Sequence, residues 1–245
     1  MSGHSKWSSS KHKKAAIDQK RGKVFTKAIK EITVAAREGG GDPNRNARLR
    51  TAILSSKGIN MPTSNIERAI KKGLGEIPGV NYEPITYEGY GASGIAIIVD
   101  VLTDNKNRTH PELRKIFEKN HGHLGAAGCV AWMFQRKGEI HVKKEHISED
   151  DLMNFVLEAG GEDLDASDEE AYLVYTQVSD FYGVKSFLED KKVPIMGAQL
   201  TMVPKDYVRI SEVQAGPVLR LMEELEDHDD VQNVYSNFDI MDEAS

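Results

Sequence analysis

The sequence is poor in the residues that build covalent or metal-bound frameworks. Its 245 residues include one cysteine, Cys129, which excludes a disulfide framework and any zinc site made of several cysteines. No apolar run approaches the ~20 residues that cross a bilayer, so we expect no membrane association. The first residues, MSGHSKWSSSKHKK, carry positive charge but lack the apolar stretch of a secretory signal. We therefore expect a soluble protein of a reducing compartment, most simply the cytoplasm.

The sequence is rich in charged residues, and basic and acidic residues are concentrated in different parts of it. The net charge is −6, yet residues 1–80 carry 17 Lys and Arg against 6 Asp and Glu, a net of +11. Residues 81–139 carry 7 against 7, and residues 140–245 carry 8 against 25, a net of −17. Phosphates respond to the local potential within a Debye length of about 8 Å, so the basic block predicts a polyanionic partner. A single lysine or arginine more often only solvates a helix face.

Hydrophobic spacing predicts three helices in the basic block. Phe25, Ile29, Ile32 and Ala36 recur at the spacing of one helical stripe, which ends at the glycines of residues 39–41. We predict that a second helix starts at Asp42-Pro43 and buries Leu49 and Ile53, because an N-cap followed by proline is typical of a first turn. For the third helix we predict a capping box of Ser64 with Glu67 and an apolar stripe of Ile66 and Ile70.

From Tyr82 onward the pattern changes to that of an α+β protein. The order of elements between residues 138 and 204 is βαββαβ, which is the ferredoxin-like split motif. We predict an N-terminal three-helix domain followed by two ferredoxin-like α+β domains, one inserted into the other. The predicted domains are residues 1–80, residues 81–136 with 206–245, and residues 137–205. Outside the split motif we predict strands at 85–90, 95–102, 130–135, 207–210 and 231–238, a helix capped by Thr109 and Glu112, and a helix at 217–226.

Two segments resemble catalytic or cofactor motifs on paper. Residues 89–94, GYGASG, match GxGxxG, but a β-branched run follows where a dinucleotide site needs a helix, so we predict a tight hairpin. His121, His123 and Cys129 fall within nine residues and suggest a metal site, but no fourth ligand is evident and a glycine-rich loop explains the segment as well. We find no catalytic residue pair, and we predict no enzyme activity and no cofactor.

The N-terminus contains one candidate site for a metal ion. If Met1 is removed, the chain starts Ser2-Gly3-His4, whose amine, two amides and imidazole could form the square-planar nitrogen set that Cu(II) or Ni(II) prefers. Binding in vitro does not require a biological use, so we predict no functional metal.

The candidate contacts to nucleic acid are basic residues accompanied by one tryptophan. Trp7 lies among lysines in a serine-rich arm, where bases could stack on its ring at ~1–3 kcal/mol each while lysines contact phosphates; docking of Trp7 on its own domain is an equal alternative. Lys23, Lys27 and Lys30 share one helix face beside the apolar stripe, so that face is expected to meet an anion. The full set is Lys6, Trp7, Lys11, Lys13, Lys14, Arg21, Lys23, Lys27, Lys30, Arg45, Arg48, Arg50, Lys57, Arg68, Lys71 and Lys72.

Several motifs in one order resemble the YebC/PmpR family over essentially the whole length. The matching segments are GHSKW at 3–7, RGK at 21–23, GGGDP at 39–43, NMP at 60–62, RAIKKG at 68–73, YEGYG at 87–91, LTDN at 102–105 and NRT at 107–109. The loop NHGHLGAAGC departs from the family form, which usually has serine at the position of Cys129. The positions of interest that carry over are Lys6, Trp7, Arg21, Lys23, Asn105, Asn107 and Arg108.

The resemblance implies a fold and a class of function. It implies three domains around a cleft and a DNA-binding transcriptional regulator, while other family members act in translation at ribosomes, which makes ribosomal RNA an alternative partner. A protein–protein adaptor that uses the acidic C-terminal part is a second alternative. Asn105, Asn107 and Arg108 form either a second contact patch or a structural turn before Thr109. The sequence does not indicate an oligomeric state.

Overall fold

The computed structural model describes residues 18–241, with side chains from residue 22 onward. Within that range the chain forms two compact units, one of residues 18–129 and 216–234 and the other of residues 130–215 and 235–241. These two units do not test the predicted division into three domains, which stays a prediction. The fold class is confirmed as α+β, with an N-terminal helical region followed by antiparallel sheets. No helix of the described residues is long and apolar enough to span a membrane.

The three predicted N-terminal helices are present and share one core. They are α1 Asp18–Gly39, α2 Ala47–Gly58 and α3 Thr63–Gly73. On α1, Ile32 and Ala36 are fully buried, and Phe25 and Ile29 pack at the edge of the same cluster, which confirms the predicted stripe. The core between the helices therefore uses only one side of α1.

The start of α2 differs from the prediction. Residues 43–45 form a turn, in which the Asp42 carboxylate accepts a hydrogen bond from the Asn44 amide, and the helix begins at Ala47. Asn46 is the N-cap, and its buried side chain accepts a hydrogen bond from the Leu49 amide at 3.0 Å. Pro43 thus lies in the turn that precedes the helix, and the helix begins about one turn later than predicted.

Two further predicted helix starts were wrong for a similar reason. Pro62 is the N-cap of α3, with no side-chain cap, so Ser64 lies inside the helix and forms no capping box. Helix α4 covers Lys106–Lys119, and its N-cap is Asn105, whose Oδ1 accepts hydrogen bonds from two backbone amides. Thr109, which the sequence placed at this cap, is buried within α4. The Thr109 hydroxyl instead donates to the Asn105 carbonyl and the Asp230 carboxylate.

The first unit contains a four-stranded sheet in the order β3-β1-β2-β9. The central pair β1–β2 is antiparallel, which confirms the strands predicted at 85–90 and 95–102, and β2 is almost wholly buried. The predicted hairpin at residues 89–94 is confirmed, because the amide of Gly91 donates to the carbonyl of Ile95 across the turn at 2.8 Å. The strands are β1 Glu83–Tyr90, β2 Ala96–Thr103, β3 His123–Leu124 and β9 Val231–Ser236.

The second unit contains the predicted βαββαβ order. Its sheet has the order β5-β6-β4-β7 with antiparallel neighbours, and Ile140, Val142 and Val174 lie in its core with both helices. The strand predicted at residues 130–135 was wrong, since residues 131–133 form a 3-10 turn before β4. The elements are β4 Phe134–Lys143, α5 Glu149–Ala159, β5 Asp163–Asp165, β6 Ala171–Thr176, α6 Phe181–Asp190 and β7 Ile195–Pro204.

The chain after β7 continues with short elements. Strands β8 Val208–Ile210 and β10 Phe238–Ile240 form a parallel pair, and α7 covers Glu212–Asp227. Helix α7 thus begins five residues before the predicted helix at 217–226, with Pro217 inside it.

The cap of α2 gives a testable prediction. The Asn46 amide group also donates to the carbonyls of Ala35 at 2.7 Å and Gly40 at 2.8 Å, so Asn46→Ala removes three hydrogen bonds at a buried site. We expect the free energy of unfolding, measured by urea denaturation, to fall by about 2 kcal/mol. Asn44→Ala is the matched control, because Asn44 is exposed in the same turn. Equal stabilities of the two variants would contradict the assigned role.

Candidate functional site

The predicted contact residues fall into groups with different surroundings. Lys6, Trp7, Lys11, Lys13 and Lys14 lie outside the described residues, as does the Ser2-Gly3-His4 candidate. Arg21 lies in α1, but its side chain is outside the described part.

The lysine face of α1 meets an anion within the same unit. Lys23 Nζ lies 2.8 Å from the Asp227 carboxylate, and Lys27 Nζ donates to the carbonyl of Glu226 at 2.5 Å. Lys30 Nζ lies 2.6 Å from the carboxylate of Asp230. The lysines that the sequence assigned to nucleic acid thus pair with residues 226–230, at the end of α7 and just after it, and their contact with nucleic acid stays a prediction. The hydrogen bond to Asp227 raises the pKa of Lys23.

Asp230 is the centre of this contact, and its side chain is only 3% exposed. One carboxylate oxygen accepts a hydrogen bond from Lys30 Nζ. The other accepts hydrogen bonds from Arg108 at 2.6 Å, Thr109 at 2.7 Å and Thr103 at 3.2 Å. We call these five residues the Asp230 cluster. Burial alone would raise the pKa of the Asp230 carboxyl, but hydrogen bonds from Lys30, Thr109 and Arg108 hold it well below its usual range. The buried charge is thus fully compensated.

The candidate second patch has structural roles in this arrangement. Asn105 Oδ1 accepts from the backbone amides of Asn107 at 3.1 Å and Arg108 at 3.2 Å, which starts α4. The Arg108 guanidinium joins Asp230 to Asp104, 3.1 Å away, and its hydrogen bond to Asp230 raises its pKa. Asn107 is exposed. Of the two alternatives for these residues, the contacts favour the structural turn.

A cavity of about 800 Å³, lined mostly by charged residues, adjoins the Asp230 cluster. Acidic and basic side chains line it, and most of them pair with each other: Lys119 Nζ lies 2.8 Å from Glu224, and His228 Nε2 lies 3.1 Å from Glu112. A polyanion would compete with these carboxylates for the paired cations of the lining, Lys23, Lys30, Arg108 and Lys119. The cavity is therefore a less favourable binding site for nucleic acid than an open basic surface would be.

On α2 the basic residues have mixed surroundings. Arg48 bonds Glu31 at 2.7 Å and Glu38 at 2.6 Å on α1, and these hydrogen bonds, led by that of Glu31, raise its pKa. Arg45 lies 3.8 Å from Asp42. The Arg50 guanidinium donates to the Pro43 carbonyl, while Lys57 is exposed. Arg48 thus acts as a bridge between two helices.

Three cations on α3 are placed differently. Arg68, Lys71 and Lys72 lie at i, i+3 and i+4, on the side of α3 that faces away from the buried Ile66 and Ala69. Among residues 22–241, no carboxylate oxygen lies within 4 Å of these three side chains. We call them the α3 cationic face. They are placed to contact phosphates without losing an internal ion pair.

The loop with His121, His123 and Cys129 is held by hydrogen bonds to β1. The Glu88 carboxylate accepts from the amide of Gly128 at 2.6 Å, and the Tyr90 hydroxyl donates to the carbonyl of Cys129 at 3.0 Å. His123 stacks on the Tyr90 ring, and burial raises the pKa of the Cys129 thiol. Within the described chain, no three His, Cys, Asp or Glu side chains are grouped as metal ligands.

The functional feature that sequence reasoning missed is the role of residues 226–230. The available signal was an acidic run, Glu226 to Asp230, whose charge is opposite to that of the lysine stripe on α1. The two segments are 200 residues apart at Lys30 and Asp230, so no local pattern joins them.

Comparisons with known proteins match nearly the whole chain. A model described as the TACO1/YebC protein N-terminal domain matches residues 5–76, and one described as the TACO1/YebC second and third domain matches residues 82–238. A protein of Natranaerobius thermophilus is 57% identical over 99% of this chain and 98% of its own, and one of Syntrophobacter fumaroxidans is 54% identical over 99% and 98%. Both are named "Probable transcriptional regulatory protein".

A solved structure is also similar. The crystal structure of a conserved hypothetical protein, Aq1575 from Aquifex aeolicus, shares 48% identity with this chain and has a TM-score of 0.85. The match covers 94% of this chain and 95% of the other. The two proteins are therefore similar in sequence as well as in fold.

The Asp230 cluster gives a stability prediction. Asp230→Asn leaves the buried Lys30 ammonium without its countercharge, so we expect the free energy of unfolding at pH 7 to fall by about 3–5 kcal/mol. Urea denaturation measures the loss. Asp229→Asn is the control, because Asp229 is exposed and only its backbone carbonyl bonds Lys30. A loss below about 0.5 kcal/mol for Asp230→Asn would contradict the role of the cluster.

The same cluster predicts a pH dependence. Because the folded pKa of Asp230 is lowered, its contribution is complete above the unfolded carboxyl pKa of about 3.9 and is lost as the pH falls through the lower folded value. We therefore expect the stabilities of the wild type and Asp230→Asn to converge below pH ~4. Denaturation curves recorded from neutral to acid pH test this. A gap that stays constant to acid pH would show that the carboxylate charge is not its source.

Proposed function

The chain belongs to the TACO1/YebC family, and on that premise we propose that it is a non-enzymatic regulator of gene expression that binds nucleic acid through its N-terminal helices. The names of its relatives support the regulatory role. We further propose that DNA is the nucleic acid and that the protein acts in the cytoplasm. The single observation that carries the proposal is the α3 cationic face, which has three cations on one helix side and, among residues 22–241, no internal countercharge within 4 Å.

The charges of the described residues decide which helix we assign to the contact. On α1, Lys30 is buried and Lys23 and Lys27 have partners in residues 226–230, so a phosphate would have to displace these partners. On α3, a phosphate displaces only water and counterions, which is the favourable part of binding a polyanion. We therefore assign the contact to α3 and treat the α1 lysines as structural.

Contacts of this kind position a nucleic acid without reading its sequence. Arginine and lysine bound to phosphates fix orientation, while base edges carry the sequence information. The proposed surface explains affinity, and it leaves ribosomal RNA as the alternative target, because RNA is recognised largely through its shape and its phosphates. The adaptor alternative loses part of its support, since acidic residues 227 and 230 already pair within the protein.

Crosslinking in cells, followed by sequencing of the attached nucleic acid, separates these targets. We expect chromosomal DNA to be recovered. Recovery of ribosomal RNA would replace the DNA part of the proposal and keep the α3 contact. Recovery of neither would reject the nucleic-acid proposal and leave the adaptor as the remaining function.

A salt titration tests the α3 assignment. We expect the triple variant Arg68→Ala, Lys71→Ala, Lys72→Ala to bind a fluorescent DNA duplex more weakly, with a flatter dependence on salt. The slope of log K against log salt should decrease by about 0.9 for each phosphate that the variant no longer neutralises. Stability should change by less than about 1 kcal/mol, because the three side chains are outside the core and only interact with the helix dipole.

Two control variants make the result specific. Lys143→Ala, Lys191→Ala, Lys192→Ala removes the same charge from the other unit and should leave the slope unchanged. Lys23→Ala, Lys27→Ala should lower stability and also leave the slope unchanged, because both lysines have protein partners. If the α1 variant flattened the slope and the α3 variant did not, our assignment would be reversed.

A further inference from the structure

The contact between α1 and residues 226–230 has a buried end and an exposed end. At the buried end, the side chains of Lys30 and Asp230 are 7% and 3% exposed. At the exposed end, the side chains of Lys23 and Asp227 are 42% and 53% exposed, and their charged groups lie 2.8 Å apart. Because Asp230 is fixed in the core, Asp227 is held close to Lys23 even though their own ion pair lies in solvent.

At the exposed end, Asp227 offers Lys23 the kind of oxygen atoms that a phosphate would offer. The Lys23 ammonium donates to the Asp227 carboxylate at 2.8 Å and to the Asp227 carbonyl at 2.9 Å. The hydrogen bond to the Asp227 side chain raises the pKa of Lys23, and the charge of Asp229 adds to this effect from further away. A phosphate that approaches Lys23 therefore meets an ammonium that already has an anionic partner.

The position of the Asp227 carboxylate is unfavourable for α7 itself. Asp227 is the last residue of α7, whose last turn contains no basic residue. The C-terminus of a helix carries a partial negative charge, so a carboxylate there lowers the stability of the helix. Lys23 and Lys27 of α1 already donate to the backbone carbonyls of Asp227 and Glu226 at this end. The carboxylate is thus not needed to cap α7, and its remaining effect is to neutralise Lys23.

We propose that Asp227 forms an autoinhibitory contact: its carboxylate occupies the place on Lys23 that a nucleic-acid phosphate would take, and so lowers the affinity of the intact protein. This inference rests on the proposed function in that nucleic acid is the partner, but it concerns α1 and not α3. The competition is intramolecular, because the buried pair of Lys30 and Asp230 tethers Asp227 and gives its carboxylate a high effective concentration. An exposed ion pair is weak, so the inhibition is partial.

A single neutral substitution in the full-length protein tests the proposal. We expect Asp227→Asn to bind a fluorescent DNA duplex about two- to fivefold more tightly than the wild type, because Lys23 becomes available to a phosphate. The slope of log K against log salt should become steeper by about 0.9, the contribution of one further phosphate contact. Glu223→Gln is the matched control, since Glu223 is exposed on the same helix and forms no ion pair with another described residue. It removes the same charge and should leave the slope unchanged.

A second substitution shows whether the gain in affinity depends on Lys23. We expect the double variant Lys23→Ala, Asp227→Asn to lose the tighter binding and to return to the wild-type slope. A gain equal to that of Glu223→Gln, or one that persists without Lys23, would overturn the proposal. Binding by the wild type with no gain in Asp227→Asn would reject this inference alone. If neither the wild type nor any variant bound the duplex, the proposed function would be rejected and this inference with it.

Discussion

The rest of the first unit depends on one buried ion pair, that of Lys30 with Asp230. Taking two charges out of water is costly, and the pair is tolerated because each charge has further partners. Asp230 accepts from two threonines and an arginine, and Lys30 also donates to the carbonyls of Asp229 and Leu102. The backbone takes part as well, since the amide of Leu102 donates to the carbonyl of Asp230 at 2.8 Å. One short segment thus connects α1, β2 and α4.

This contact explains why the helices of the basic block have different roles. Helix α1 packs an apolar stripe on one side, and its other side carries the ionic contacts and the fully buried Val34, so neither side is left open along its middle. Helix α3 packs on one side only, through Ile66 and Ala69. Its basic side remains in solvent. The basic residues of the N-terminal block therefore have two roles: those on α1 form internal contacts, and those on α3 are open to a partner.

The sequence predicted what depends on local periodicity, and it missed what depends on distant partners. The stripe of Ile29 and Ile32, the strand β2 and the βαββαβ order were recognised, because the spacing and type of apolar residues differ between helices and strands. Helix starts were less well predicted: Asn46 and Asn105 cap their helices where other residues had been chosen. The lysine face was recognised as charged and was assigned to nucleic acid, whereas the structure pairs it with residues 226–230. Its partner could not be identified, because periodicity shows that a face is charged and does not show which segment covers it.

The pairing of α1 with residues 226–230 has a consequence for work with fragments. A truncated chain that ends before Tyr82 would keep the three helices and lose every carboxylate that now neutralises Lys23 and Lys30. Those ammonium groups would then face solvent and attract any polyanion offered. An isolated helical fragment would thus overstate the affinity of the intact chain and assign it to the wrong helix, so the binding surface is best mapped by point substitutions in the full-length protein.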